Sequence, residues 1–184
     1  LAIEDRAGLS RSREAQFEDL VLRHLDAAYN LARWLLDNDQ DAEDVVQDAA
    51  IRAFDALETI RGTDGKSWFL AIVRNTSLNR IRQRGSARTV ELEKEELIPD
   101  PRLATPEEQV IRAWEGEAIR SAMAALPLPF REIVVLRELE EMSYQQIADV
   151  TGLPIGTVMS RLSRARQRLQ FSLVAMEVHG LLPS

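Results

Sequence analysis

Phe17, Leu20, Val21, Leu25, Ala28, Leu31, Ala32 and Leu35 recur at intervals of three and four residues, the spacing that lines one face of a helix. The pattern predicts one amphipathic helix through all of them. A second helix is predicted over Ala42, Val45, Val46, Ala49, Ala50, Ala53, Phe54 and Leu57. Asp39 or Asp41 is its expected cap, and the acids of its first turn suit the positive end of the helix dipole. Gly62 and Gly65 mark a loop from Arg61 to Lys66. Trp68, Ala71, Ile72, Asn75, Leu78 and Ile81 then trace a third helix, and that period places Trp68 in its core.

From Gly85 to about Thr105 the periodicity stops, and acids gather with Pro99 and Pro101. This stretch reads as a linker. Thr105-Pro106-Glu107-Glu108 is a capping box with proline at the first helical position, and it opens a helix carrying Val110, Trp114, Ala118 and Ala122. Pro127-Leu128-Pro129 begins another helix through Phe130, Ile133, Val134 and Arg137. A second capping box, Ser143-Tyr144-Gln145-Gln146, starts a short helix that Gly152 ends, since glycine accepts positive φ. A longer helix follows Leu153-Pro154. Short helix, glycine turn and longer helix make a helix-turn-helix. The expected fold class is all-α: two small helical domains, residues 12–86 and 106–184, joined by a flexible acidic linker over 87–105, with the helix-turn-helix in the second.

Composition narrows the function by exclusion. Hydrophobic residues make up 45% and charged residues 29%, enough apolar content for an ordinary core and too much for disorder throughout. No apolar run approaches the roughly 20 residues that span a bilayer, and no secretory h-region opens the sequence, so a cytoplasmic chain without membrane insertion is expected. Zero cysteines exclude a thiol nucleophile, a disulfide framework and cysteine-ligated metal. His24 and His179 alone cannot build a histidine-rich metal centre, and His24 reads as a packed side chain. No nucleophile–base set or phosphate loop is present. An enzyme, a catalytic residue, a cofactor and a metal site are therefore not expected.

The net charge of −7 would by itself argue against a nucleic-acid binder, but its distribution does not. Acids crowd Asp37 to Glu58; Arg61, Lys66, Arg74, Arg80, Arg82, Arg84 and Arg88 then invert the sign. Near the end, Arg161, Arg164, Arg166 and Arg168 stand together without an acid among them. In that last helix Val158, Leu162, Ala165 and Leu169 form an apolar stripe, and Thr157, Arg161, Arg164 and Arg168 form a cationic one beside it. One face packs while its neighbour offers charge for phosphates and forked donors for guanine edges, which is what a major-groove helix requires.

Ser143-Tyr144-Gln145-Gln146-Ile147-Ala148 through Gly152-Leu153-Pro154-Ile155-Gly156-Thr157-Val158, followed by Ser160-Arg161-Leu162 and Arg164-Ala165-Arg166, resembles the carboxy-terminal domain of bacterial sigma factors of the extracytoplasmic-function group. Asp41-Ala42-Glu43-Asp44-Val45-Val46-Gln47-Asp48 is similar to the segment by which these factors grip core RNA polymerase. Trp68-Phe69-Leu70-Ala71-Ile72-Val73-Arg74-Asn75 resembles their helix for the opened -10 element. The resemblance covers roughly Phe17 to Leu169 and implies an alternative sigma factor directing promoter-specific initiation, of the kind often tied to stress responses and held by an anti-sigma factor.

It further implies polymerase contact through Asp41, Glu43, Asp44, Gln47 and Asp48. Contact with the -10 element falls to Arg61, Lys66, Arg74, Asn75, Asn79, Arg80 and Arg82. Contact with the -35 element falls to Thr157, Ser160, Arg161, Arg164, Arg166 and Arg168. The partners implied are core RNA polymerase, promoter DNA and an anti-sigma protein. Two alternatives stand beside this reading: a sigma-like decoy that sequesters an anti-sigma factor, and an ordinary helix-turn-helix regulator. The decoy would have no use for the arginine stripe; the regulator would have none for the Asp41–Asp48 acids.

Overall fold

The computed structural model describes residues 13–60, 64–87 and 106–178. The linker expected after Ala87, the loop residues Arg61 to Thr63 and the cap residue Thr105 lie outside the described residues, and so do the side chains of Trp114 and His179. Among the described residues every regular element is helical, as the periodicity predicts.

The first long helix is in fact two. Helix α1 covers residues 13–20; Val21 then leaves the helical path (φ −124°, ψ −60°), and a 3₁₀ turn, Leu22–His24, leads into α2, Leu25–Leu36. Gly65 seats itself at the bend, where a Cβ would stand 2.8 Å from Leu20 Cδ2 and 3.3 Å from Leu20 Cα. Periodicity could not reveal the break because Val21 stays fully buried through it. Asp37 closes α2 in the left-handed region at φ 54°, and its N–H reaches the Arg33 carbonyl at 3.0 Å. The cap of α3, Asp39–Ala56, is Asn38 rather than either expected aspartate. Extended at φ −157°, it accepts from the Asp41 N–H at 2.9 Å.

Helix α4, Gly65–Ala87, turns a different face inward from the one the apolar period traced. Phe69, Leu70, Val73, Thr76 and Ser77 are buried; Trp68, Ala71, Ile72, Leu78 and Ile81 are half-buried and Asn75 is exposed. Helices α2 and α3 flank it on one side and the second half of the chain on another, so its inner surface is broad. That surface includes hydroxyls that satisfy themselves: Thr76 Oγ1 donates to the Ile72 carbonyl and Ser77 Oγ to the Val73 carbonyl, both at 2.9 Å. A pattern that counts only apolar residues misses such positions.

The second half comprises α5, Pro106–Ala125, α6, Leu128–Val134, and a π-helical continuation, Val135–Leu139. The capping box of α7, Tyr144–Thr151, forms as expected: Ser143 Oγ accepts from the Gln146 N–H at 3.2 Å and Gln146 Oε1 from the Ser143 N–H at 2.8 Å. Gly152 at φ 70° turns the chain into α8, Ile155–Val178. Ile133, Leu136, Met142, Ile147, Val158, Leu162 and Ala165 form the core beneath. The two halves touch, with α2 against α6 and the π segment and α4 against α7.

Candidate functional site

Helix α3 sorts the expected polymerase contacts by exposure. Glu43, Gln47 and Asp48 are exposed and Asp44 is half-buried, so these project to solvent. Asp41 does not. It is 3% exposed, Arg80 donates to its Oδ1 at 3.0 Å and Arg84 pairs with its Oδ2. The carboxylate at the start of α3 thus ties that helix to the end of α4, and the sequence reading that put it on a docking face is corrected by its burial. Ile51, 56% exposed, shares a helix face with Asp44, Gln47 and Asp48 and was missed. Its signal was available: it falls out of phase with Val45, Ala49 and Ala53.

On α4 the expected strand-binding residues divide as well. Asn75, Asn79 and Arg82 are exposed on the outer face, with half-buried Trp68 on the same side. Lys66, Arg74 and Arg80 are engaged within the protein. Arg80 bridges Asp41 and Asp44, the latter at 3.3 Å. Arg74 grips Glu132 of α6 through Nε at 2.8 Å and Nη2 at 3.3 Å. Lys66 Nζ lies 3.1 Å from Glu140 Oε2 and donates to the Glu140 carbonyl at 2.8 Å. Asp64 caps α4, accepting from Ser67 N–H at 3.2 Å and Ser67 Oγ at 2.7 Å, and also from Gln146 Nε2 at 3.0 Å. The bond from Ser67, above all, holds its carboxyl below the ordinary value of 3.8. Arg61 lies outside the described residues.

The outward surface of α8 is flatter than the arginine count suggests. Ser160, Ser163, Arg164 and Gln167 are exposed, roughly opposite the buried Val158, Leu162 and Ala165, whereas Thr157 and Arg161 sit half-buried at one edge. Ser160 Oγ donates back to the Thr157 carbonyl at 3.1 Å. Arg166 is paired with Glu138, Nη2 to Oε1 at 2.6 Å, a bond that raises the guanidinium pKa further. Arg168 lies over the Phe130 ring at 5.1 Å. Arg164 therefore projects furthest from the core among the four arginines, and Ser163 and Gln167, unnoticed in the sequence, flank it. Their signal was their place across the helix from the apolar stripe.

Residues 20–87 match the family pattern of Sigma-70 region 2, and residues 116–169 that of Sigma-70, region 4. The chain is 31% identical over 175 residues to the RNA polymerase sigma-H factor of Pseudomonas aeruginosa, covering 90% of both chains. It is 34% identical over 157 residues to the ECF RNA polymerase sigma factor SigE of Mycolicibacterium smegmatis, covering 84% of this chain and 60% of that relative. With the ECF RNA polymerase sigma-E factor of Escherichia coli K12 it shares 32% identity over 137 residues, 70% of this chain and 72% of the other. Among solved structures, the sigma factor RpoE in complex with the anti-sigma factor NepR from Bartonella quintana superposes with a TM-score of 0.71 at 29% identity, over 85% of this chain and 96% of that one. CnrH in complex with the cytosolic domain of CnrY does so at 0.62 and 28% identity, over 86% and 88%.

Proposed function

The chain belongs to the extracytoplasmic-function group of RNA polymerase sigma factors, and from that premise we propose how its surfaces divide the work of promoter-specific initiation. The domain limits proposed are residues 12–86 for polymerase binding and -10 melting, 87–105 for the linker, and 106–184 for -35 recognition. Glu43, Asp44, Gln47 and Asp48, with Ile51 among them, dock on core polymerase: carboxylates steer toward a basic surface and an exposed isoleucine supplies apolar area at the centre. Trp68, Asn75, Asn79 and Arg82 form the outer face of α4 for the melted -10 strand, an aromatic ring for stacking with amide and guanidinium donors around it. Ser160, Ser163, Arg164 and Gln167 read base edges of the -35 element, with Arg161 and Arg168 beside them on phosphates.

The observation that carries this reading is α8 itself, held by the capped α7 and the Gly152 turn with a polar face wholly outward. The chain carries no chemistry of its own in this scheme; it works in the cytoplasm with polymerase. The two structural relatives crystallised with an anti-sigma factor or with the cytosolic domain of CnrY support regulation of this chain by a protein inhibitor. The test is to add the purified chain to core RNA polymerase and map transcription start sites across a bacterial genome library. A defined set of starts sharing upstream -35 and -10 sequences is the expected result, and no change from core enzyme alone counts against the assignment.

A further inference from the structure

The outward arc of α8 has an apolar border at its amino-terminal end. Ile155, 41% exposed, and Met159, 51% exposed, stand one turn apart on the same line of the helix. Ser163, a further turn on, leads from that line toward the exposed polar residues. Gly156 adjoins Met159 from the turn before, and nothing lies within 4 Å of the place its Cβ would take. Arg166 falls on the same border but is drawn aside: its Nη2 and Nε donate to Glu138 Oε1 at 2.6 and 3.0 Å. From Ile155 to Ser160 the exposed side chains are therefore Ile155, Met159 and Ser160, and no charged residue stands among them.

A single exposed apolar side chain is ordinary on any surface. These two are neighbours, and they occupy the end of the second helix of a helix-turn-helix, the end that meets base edges. In a groove, an apolar side chain strips water from whatever it covers and returns no hydrogen bond. Over the donors and acceptors of guanine, adenine or cytosine that is a loss. The thymine C5-methyl is the one apolar group that the major-groove edge presents, and contact with it is a gain. Methionine suits the contact, because its unbranched chain can reach and adjust to a small apolar target.

We propose that Met159, on the apolar border it shares with Ile155, is a specificity-determining residue that reads a thymine methyl group in the -35 element. It selects an A·T pair beneath the first turns of α8, beside the base edges left to Ser160 and Arg164. The proposal rests on the assignment of α8 to the -35 element. It divides the reading of that element in two: hydrogen bonds from the middle of the helix, and apolar contact at its amino-terminal end.

Start-site mapping with core polymerase supplies a natural -35 element for the test. Each of its thymidines, on either strand, is replaced in turn by deoxyuridine, which removes the methyl and keeps every hydrogen-bonding group. Holoenzyme with the unsubstituted chain should bind at least one such promoter about 3- to 5-fold more weakly, the worth of one buried methyl. With Met159→Ala the thymidine and deoxyuridine promoters should bind alike, and with Met159→Leu the preference should return. Neither substitution should move the salt slope, since no phosphate contact is lost. Equal binding of the two promoters at every position by the unsubstituted holoenzyme overturns the proposal. So does a methyl preference that survives Met159→Ala, or a -35 element without an A·T pair. Weaker binding by Met159→Ala that ignores the methyl places the side chain against sugars and overturns it as well. In each of these cases promoter-specific transcripts leave the functional assignment standing, whereas start sites that share no -35 sequence overturn both.

Discussion

Asp41 shows how one carboxylate can be read wrongly by its neighbours. It sits in a run of acids, yet its side chain points inward to Arg80 and Arg84 and couples α3 to α4. Asp41→Ala leaves two half-exposed guanidiniums free to hydrate, so the expected loss is that of charged hydrogen bonds, about 1.5–3 kcal/mol, seen as a lower thermal midpoint. Asp44→Ala with Gln47→Ala should do the opposite: core-polymerase affinity falls in an anisotropy titration while the melting curve stays nearly in place. Equal affinity for both variants would remove α3 from the docking face. His24 adds a pH dependence. Burial, then the charge of Lys66, lowers its pKa from 6.5. The unfolded imidazole therefore takes up its proton first as pH falls. Stability from this group is complete above about pH 6.5 and declines as pH drops through that value toward the depressed folded pKa. His24→Gln should flatten the slope of thermal midpoint against pH between about 7 and 5.

At the scale of elements, the helix-turn-helix depends on Gly152, whose φ of 70° falls where a Cβ is strained although nothing stands within 4 Å to clash. Gly152→Ala should cost roughly 1–2 kcal/mol by backbone strain alone, and denaturant titration should show it without loss of α8. The four arginines of α8 separate into different roles. Arg164→Ala should shift which -35 sequences holoenzyme prefers, by about 1–3 kcal/mol at particular positions. Arg168→Ala, drawn from its place over Phe130, should weaken binding almost evenly across promoter variants and lower the salt slope by roughly 1. Arg166→Ala should have the smallest effect on DNA because Glu138 already holds it. A set of promoter variants tested with each holoenzyme checks all three, and indifferent sequence preference in Arg164→Ala would move base readout elsewhere on the helix.

For the whole molecule, the acidic balance of −7 and the local cationic faces are parts of one design. Net negative charge limits loose binding to DNA by the free chain. An inhibitor that binds the two halves would occupy surface that core polymerase needs. Polymerase and inhibitor should then exclude each other, and a stable ternary complex on a sizing column would speak against that. The described helices include none long and apolar enough to cross a membrane.

What the sequence determined by itself was whatever depends on near neighbours in the chain. The capping box at Ser143, the glycine turn and the apolar stripe of α8 are set by residues within about one turn of each other, and they stand as the pattern predicts. The family was legible for the same reason, since its motifs are contiguous. Tertiary structure alone decided which polar groups turn inward. Nothing local distinguishes Asp41 from Asp44, or Arg74 from Arg82; only the approach of α4, α6 and the Glu140 segment does. It also decided that the first helix bends at Val21, where Gly65 packs closely against Leu20, and that α4 buries Ser77 while leaving Trp68 half in water. Burial is a property of what lies opposite, and for these residues the opposite surface is supplied from distant parts of the chain.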